Sequence, residues 1–124
     1  MAPIRINLPE LGLPVGPYSH AVRHKDTLYT SGFTAFGTPA HDMDAGAQAL
    51  AIFDQLEKIA LSQSTSMENL VKVTVFIAGP SVIPQLRETM TSRYGPHVPA
   101  SSMVIVDSLF APGLALEVEA IFAL

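Results

Sequence analysis

The last eleven residues, Leu114–Leu124, read LALEVEAIFAL and place two carboxylates inside an otherwise apolar run. Side chains of a β-strand alternate between its two faces, so Glu117 and Glu119 point to the same side. Because a carboxylate is rarely buried without a partner, this side must face either water or a site. The side chains on the opposite face can join a core, and they are Leu116, Val118, Ala120 and Phe122.

The composition indicates one globular domain that spans residues 1–124. A chain of this length can bury a core of its own, and the 48% of hydrophobic residues argue against intrinsic disorder. Eleven acidic residues outnumber seven basic ones, and no segment clusters Lys or Arg. We therefore expect neither a nucleic-acid partner nor an anionic membrane partner.

Targeting and metal signals are weak. The N-terminal segment MAPIRINLPELG has no apolar stretch of the secretory kind, and no run approaches transmembrane length, so we expect a cytoplasmic protein. Cysteine is absent, which excludes disulfides and thiolate ligands. His20 and His24 stand four apart in a strand-like segment with no evident third ligand, so we predict no metal site.

The first half of the chain contains strand patterns followed by a helix. RIN reads as a short strand, and AVRHKDTLYTSGFT reads as two strands around the polar turn HKD. From Ala45 to about Ser62 the apolar residues recur at helical spacing, and Asp42 or Asp44 can cap the start of that helix.

The second half predicts a strand, a second helix and two more strands. Val71, Val73, Val75 and Ile77 alternate with polar or aromatic residues, and a helix is predicted from Pro84 to Tyr94. SSMVIV and the terminal run supply the last strands. Apart from the short N-terminal strand, the order is ββαβαββ, which favours an α+β domain with two helices on one face of a mixed sheet. The other face would display Thr74, Phe76, Glu117, Glu119 and Ile121, a mixture typical of an oligomer interface that contains pockets.

Five short motifs resemble the Rid family (reactive intermediate deaminases, also called YjgF). This resemblance implies a chorismate-mutase-like α+β fold and a homotrimer with a barrel-like centre, whose three pockets lie between subunits. The best-known members hydrolyse imine and enamine intermediates to keto acids and ammonia, without a cofactor. The motifs follow the order and spacing of the family, and they are GPYSHAV, LYTSG, LVKVTVFI, VPASS and LEVEAIFAL.

The resemblance implies roles for particular residues. Glu117 would position or activate water; independently of the resemblance, we expect Glu119 to have a structural role, binding backbone or a neighbouring subunit. Tyr18, the Ser31 hydroxyl and the Gly32 backbone would hold a ligand, and the backbone of Met103 would line the pocket. An alternative for Glu117 is an interchain ion pair with Lys72 or an arginine, and Tyr18 could simply fill the interface.

One position departs from the family pattern. The deaminases read PARS, and their arginine holds the substrate carboxylate, whereas this chain reads VPASS and has Ser101 there. A serine hydroxyl cannot replace a bidentate guanidinium–carboxylate pair. We therefore expect a substrate that differs from the standard 2-imino acids. Arg87 could reach a ligand acid group from another wall, although a solvated helix arginine is the simpler interpretation.

Three functions are compatible with these observations. The first is a hydrolase of small imines or enamines, acting as a homotrimer on a small molecule. The second is a non-catalytic binding protein for a small metabolite, which the absence of the arginine favours. The third is a nuclease, which the acidic balance disfavours.

Overall fold

A computed structural model describes residues 1–124 and contains six strands and two α-helices. The α+β prediction is confirmed, and the short N-terminal strand adds a third strand before the first helix. In chain order the elements are β1 (Ile4–Ile6), β2 (Ala21–His24), β3 (Thr27–Thr30), α1 (Ala45–Ser62), β4 (Leu70–Ile77), α2 (Ile83–Tyr94), β5 (Ala100–Ile105) and β6 (Leu116–Ala123).

The strands form one mixed sheet in the order β1-β2-β3-β6-β4-β5. The terminal strand β6 lies between β3 and β4 and is antiparallel to both. β4 and β5 are parallel, and α2 is the crossover that joins them. The position of β6 inside the sheet explains why its outward-facing carboxylates lie near the middle of the open face.

The first helix begins and ends where its apolar spacing predicts. Asp44 caps it, since Oδ1 of Asp44 accepts a hydrogen bond of 2.8 Å from the backbone N–H of Ala47. Its apolar stripe, which includes Ile52, Phe53 and Leu56, is fully buried against the sheet. The helix therefore covers one face of the sheet and leaves the other face open.

The terminal strand supplies the centre of the core, as the alternation predicts. Leu116, Val118, Ala120 and Phe122 are all at most 2% exposed. They belong to the same cluster as the buried side chains of both helices, among them Leu86 of α2. Both helices thus pack on one face of the sheet, and the side chains of Glu117 and Glu119 point away from this core.

The prediction is wrong for one residue of the core face of β4. Val71 is 49% exposed, whereas Leu70 is buried and pairs with Phe122. The register shifts between Leu70 and Lys72, which marks a β-bulge. An extra residue in one strand reverses the alternation on one side of the bulge, so Leu70 takes the inward position that the period of two assigns to Val71.

The open face of the sheet carries the mixed set that the sequence predicts. Thr74 pairs with Glu119, Phe76 pairs with Glu117, and Lys72 pairs with Ile121. Directly opposed residues share a face, so these six side chains lie on the side that no helix covers. Neither helix has the length and apolar character that crossing a membrane requires.

Candidate functional site

A β-bulge positions the glycine that contacts Glu117. Tyr29 of β3 pairs with Ile121, and further along Phe33 forms a bridge with Val118. From Tyr29 to Phe33 the chain advances four residues, whereas the paired positions on β6, from Ile121 to Val118, are only three residues apart. The stretch that contains Gly32 therefore has one extra residue. Bulges often re-aim side chains beside functional sites, and here the bulge brings the chain over Glu117.

The carboxyl group of Glu117 lies directly against Gly32. A Cβ atom built at position 32 would be 2.5 Å from Oε2 of Glu117 and 2.8 Å from its Cδ. A Cβ atom would fit here only if the Glu117 side chain or the local backbone moved, so the glycine permits this close approach and is not needed for an unusual backbone angle. The N–H of Gly32 has no hydrogen-bond acceptor within the chain and is free to bind a ligand.

The environment of Glu117 disfavours its charged form. The residue is half-buried beside an apolar wall, and burial raises the pKa of its carboxyl group. The charge of Glu119, two residues along on the same face, raises the pKa further. A carboxyl group whose pKa moves towards neutrality can both accept and return a proton.

A tight turn positions Tyr18, which lines the same cavity as Glu117. The N–H of Tyr18 donates to the carbonyl of Gly16 at 2.9 Å, and the phenol oxygen accepts from the N–H of Val15 at 3.3 Å. The oxygen is thus held by a donor, and its own O–H proton remains available to a ligand. The ring is 43% exposed, which is consistent with a side chain that borders an opening.

Ser31 has a structural contact in addition to its predicted role. Its hydroxyl donates to the carbonyl of Ser19 at 2.6 Å, and its backbone N–H donates to the carbonyl of His20 at 2.9 Å. Both contacts tie the bulge to the segment that carries Tyr18. Because the hydroxyl proton is already donated, Ser31 can offer a ligand only the lone pairs of Oγ.

These residues line one open cavity of about 390 Å³. It contains a carboxyl group, a phenol, a hydroxyl and an unpaired backbone N–H beside two apolar side chains. Such a combination of a few converging polar groups and an apolar wall is typical of a small-molecule site. The lining residues are Val15, Tyr18, Ser31, Gly32, Phe110 and Glu117.

The remaining predicted residues of the terminal half do not meet this cavity within one chain. Ser101 and Met103 pair with Val73 and Val75, so they point to the face opposite Glu117. Both are exposed, because β5 is the edge strand and the helices do not cover it.

Arg87 does not line this cavity either, and neither do the charged residues Arg93, Glu119 and Lys72. Arg87 is exposed on α2 and has no ion pair, whereas Arg93 pairs with Asp54 and Glu57. Glu119 is exposed. Lys72, a possible partner for Glu117 in another copy, donates to Ser102 at 2.7 Å within its own chain.

Sequence reasoning missed the apolar wall of the cavity. Phe110 follows β5 in an irregular loop, is 60% exposed, and packs against Phe36 with ring centroids 5.0 Å apart. The sequence signal that could have identified Phe110 is a large aromatic residue in a loop that also contains Pro112 and Gly113. No group of three or more His, Asp or Glu side chains is arranged to hold a metal ion.

Comparisons with known proteins agree with the motifs. The family model described as "Endoribonuclease L-PSP" matches residues 10–124. A protein of Dermatophagoides farinae named "2-iminobutanoate/2-iminopropanoate deaminase" is 30% identical over 125 residues, which cover 98% of this chain and 97% of the relative. Another relative, "Protein MMF1, mitochondrial" of Saccharomyces cerevisiae, is 30% identical and covers 74% of this chain and 65% of its own length.

Solved structures have the same architecture. A Yersinia pestis protein, described as a conserved Rid-family protein of unknown function, has a TM-score of 0.88 and 25% identity. The similarity covers 99% of this chain and 100% of that chain. Together, the matched family model, the relatives and the shared fold show that this chain belongs to the endoribonuclease L-PSP family, which is also called the YjgF or Rid family.

Proposed function

We propose that this protein is a hydrolase that deaminates small, reactive imines and the enamines that tautomerise to them. The observation that carries the proposal is the carboxyl group of Glu117, half-buried against Gly32 in a cavity with its pKa raised by burial. A relative named as an imine deaminase supports the reaction class. The reaction needs no cofactor, since water is the nucleophile and the imine carbon is already electrophilic.

Glu117 performs the proton transfers in this proposal. Its carboxylate takes a proton from water as the oxygen attacks the carbon of the C=N bond. The proton is returned to nitrogen, which gives a neutral carbinolamine. Collapse of that intermediate forms C=O and breaks the C–N bond, so one imine and one water become one carbonyl compound and one ammonia. Tyr18 and the Gly32 N–H donate hydrogen bonds that hold the substrate.

The complete site lies between subunits of a homotrimer in this proposal. Ser101 and Met103 point away from Glu117 in their own chain, so only another copy can bring them to the cavity. The open face also exposes side chains that suit an interface, such as Phe76 and Ile121. Light scattering coupled to size-exclusion chromatography tests the assembly: a mass of three chains is expected, and a monomer at micromolar concentration contradicts it.

Ser101 sets the substrate class. A serine hydroxyl cannot neutralise a substrate carboxylate as an arginine does, and Arg87 is exposed on a helix away from the cavity of its own chain. The preferred imine therefore has no α-carboxylate. Ammonia release is measured from freshly generated imines that carry or lack this group. Faster release than in buffer, and a larger acceleration without the carboxylate, is the expected result.

A non-catalytic binding protein is the second candidate, and the Ser101 substitution is the observation that favours it. In that case carbonyl compounds raise the melting temperature while no imine is hydrolysed faster than in buffer. A nuclease is the function that the description of the family suggests. The net charge of −4 opposes binding to a polyanion, so RNA binding at low salt is expected to be absent.

A further inference from the structure

A smaller cavity of about 100 Å³ adjoins the cavity of Glu117. The two share four lining residues, which are Val15, Tyr18, Gly32 and Phe110. Most of the other side chains around the smaller cavity are apolar, including Phe36, but His20, Thr34 and Gln55 also line it. We refer to this space as the side cavity. Its volume suits a group of a few heavy atoms.

A hydrogen bond and ring packing position His20 at the side cavity, and its ring is uncharged. It is 3% exposed, its Nδ1 accepts a hydrogen bond of 3.0 Å from the N–H of Leu8, and its ring packs on Phe33. Nδ1 can accept only when it carries no proton, so the proton of the neutral ring lies on Nε2. Burial also lowers the pKa of His20, which favours the neutral ring.

The Nε2–H of His20 is a donor without a partner in the chain. Nδ1 is the ring nitrogen that makes the hydrogen bond to Leu8. Among the fully enclosed side-chain polar atoms, only the hydroxyl of Tyr94 lacks a hydrogen-bond partner. Nε2 of His20 also lacks a partner, so it is not enclosed and must be in contact with open space. The side cavity is the space that His20 lines. This donor can be satisfied only by water or by a ligand in that space.

Gln55 offers the complementary acceptor. Its Nε2 donates to the carbonyl of Thr34 at 2.9 Å and to the carbonyl of Ala51 at 3.2 Å. A rotated amide would place Oε1 against these two carbonyl oxygens, so the orientation is determined by the contacts. Oε1 accepts no hydrogen bond within the chain, and it is the free polar atom that Gln55 contributes beside the side cavity.

We propose that the side cavity binds the end of the substrate's side chain and selects an uncharged group that both accepts and donates a hydrogen bond, such as a carboxamide or a hydroxyl. The group accepts from Nε2–H of His20 and donates to Oε1 of Gln55. A carboxylate would be buried here without a cation, and a hydrocarbon would leave both polar atoms unpaired. This inference rests on the proposed function in placing the reacting carbon beside Glu117.

Three ketones that differ only at one end test the selection. Levulinamide, levulinate and methyl isoamyl ketone share a skeleton, lack an α-carboxylate, and carry a carbonyl in place of the imine. Binding is measured by NMR on protein with isotope-labelled histidine. Levulinamide is expected to bind about tenfold more tightly than either of the others and to shift the Nε2 signal of His20.

Two variants separate recognition from folding. In His20→Asn the side-chain oxygen can still accept from the N–H of Leu8, but no donor remains at the position of Nε2. This variant is expected to lose the levulinamide preference while it stays folded. His24→Asn, on β2 and outside both cavities, is expected to keep the preference.

Equal affinities of the wild type for the three ketones, binding of none of them, or an unchanged preference in His20→Asn would each overturn the inference. Failure of this inference can be distinguished from failure of the proposed function. A levulinamide preference without hydrolysis of any imine would refute the deaminase alone. Hydrolysis that depends on Glu117 without this preference would refute the side-cavity selection alone.

Discussion

The carboxyl group of Glu117 lies so close to the α-carbon of Gly32 that a methyl group on Gly32 would be 2.5 Å from Oε2. The two residues come from different parts of the chain, and the bulge between β3 and β6 brings them together. Burial of this carboxyl group is the first cause of its raised pKa.

Gly32→Ala should therefore displace the carboxyl group and impair catalysis. The added Cβ cannot be accommodated unless the Glu117 side chain or the bulge moves by about 1 Å, a misplacement that can cost about a hundredfold in rate. The measurement is kcat/KM for ammonia release from an imine that the wild type hydrolyses. Gly79→Ala is the matched control, because a methyl group on Gly79 would meet no atom within 4 Å and the backbone there is extended, with a φ of 166°. Wild-type activity in Gly32→Ala would refute this prediction.

Glu117→Gln should raise stability at neutral pH. The raised pKa means that the folded state binds more protons than the unfolded state between the ordinary value of 4.5 and the folded value. Wild-type stability therefore falls as the pH rises through this window, whereas glutamine does not titrate. Urea unfolding at about pH 4 and about pH 7 measures the difference. The variant should gain stability relative to wild type only at the higher pH, and Glu88→Gln, at an exposed position on α2, should gain none. A gain of equal size at both pH values would contradict the assignment.

Ser101→Arg should shift the substrate preference towards imines that carry an α-carboxylate. A guanidinium pairs with a carboxylate in a partly buried site, and the contact should raise kcat/KM for these substrates about tenfold to a hundredfold relative to imines without the group. Ser102→Arg adds the same charge one position along, on the opposite face of β5. An identical effect of both substitutions would show that net charge, rather than a directed contact, controls the preference.

Tyr94→Phe should stabilise the fold. The hydroxyl of Tyr94 is enclosed without a hydrogen-bond partner, and burial raises the pKa of Tyr94 to about 12. Its ring makes an edge-on contact with Phe53 that phenylalanine preserves. Removal of the unpaired hydroxyl should increase the free energy of unfolding by about 1 kcal/mol. Tyr29→Phe, at a ring that is 45% exposed, should change it little. A loss of stability in Tyr94→Phe would indicate a partner for the hydroxyl, such as a buried water.

Much of the fold could be predicted because the patterns are local. The helical spacing of Ile52, Phe53 and Leu56 identifies α1, and the alternation of Leu116 and Val118 identifies the core face of β6. The assignment of Val71 was wrong because a bulge depends on pairing with another strand, which the period of two within one strand does not contain.

The site was less accessible to sequence reasoning, since its parts are distant in the chain. The alternation of β6 shows that Glu117 faces away from the core, but the contact with Gly32 depends on the tertiary register of β3. The walls formed by Val15 and Phe110 lie in irregular loops that have no periodicity to interpret. The sequence does not reveal the free ring nitrogen of His20, because that nitrogen is identified only when the hydrogen-bond partner of the other nitrogen is known.

The central claim is that Glu117, and not its neighbour on the same face, activates water. The most direct test compares ammonia release by the wild type, Glu117→Gln and Glu119→Gln on an imine without an α-carboxylate. Loss of a general base typically costs about a hundredfold to ten-thousandfold in rate, so Glu117→Gln should approach the rate in buffer while Glu119→Gln stays within about tenfold of wild type. Equal activity of Glu117→Gln and the wild type would contradict the account.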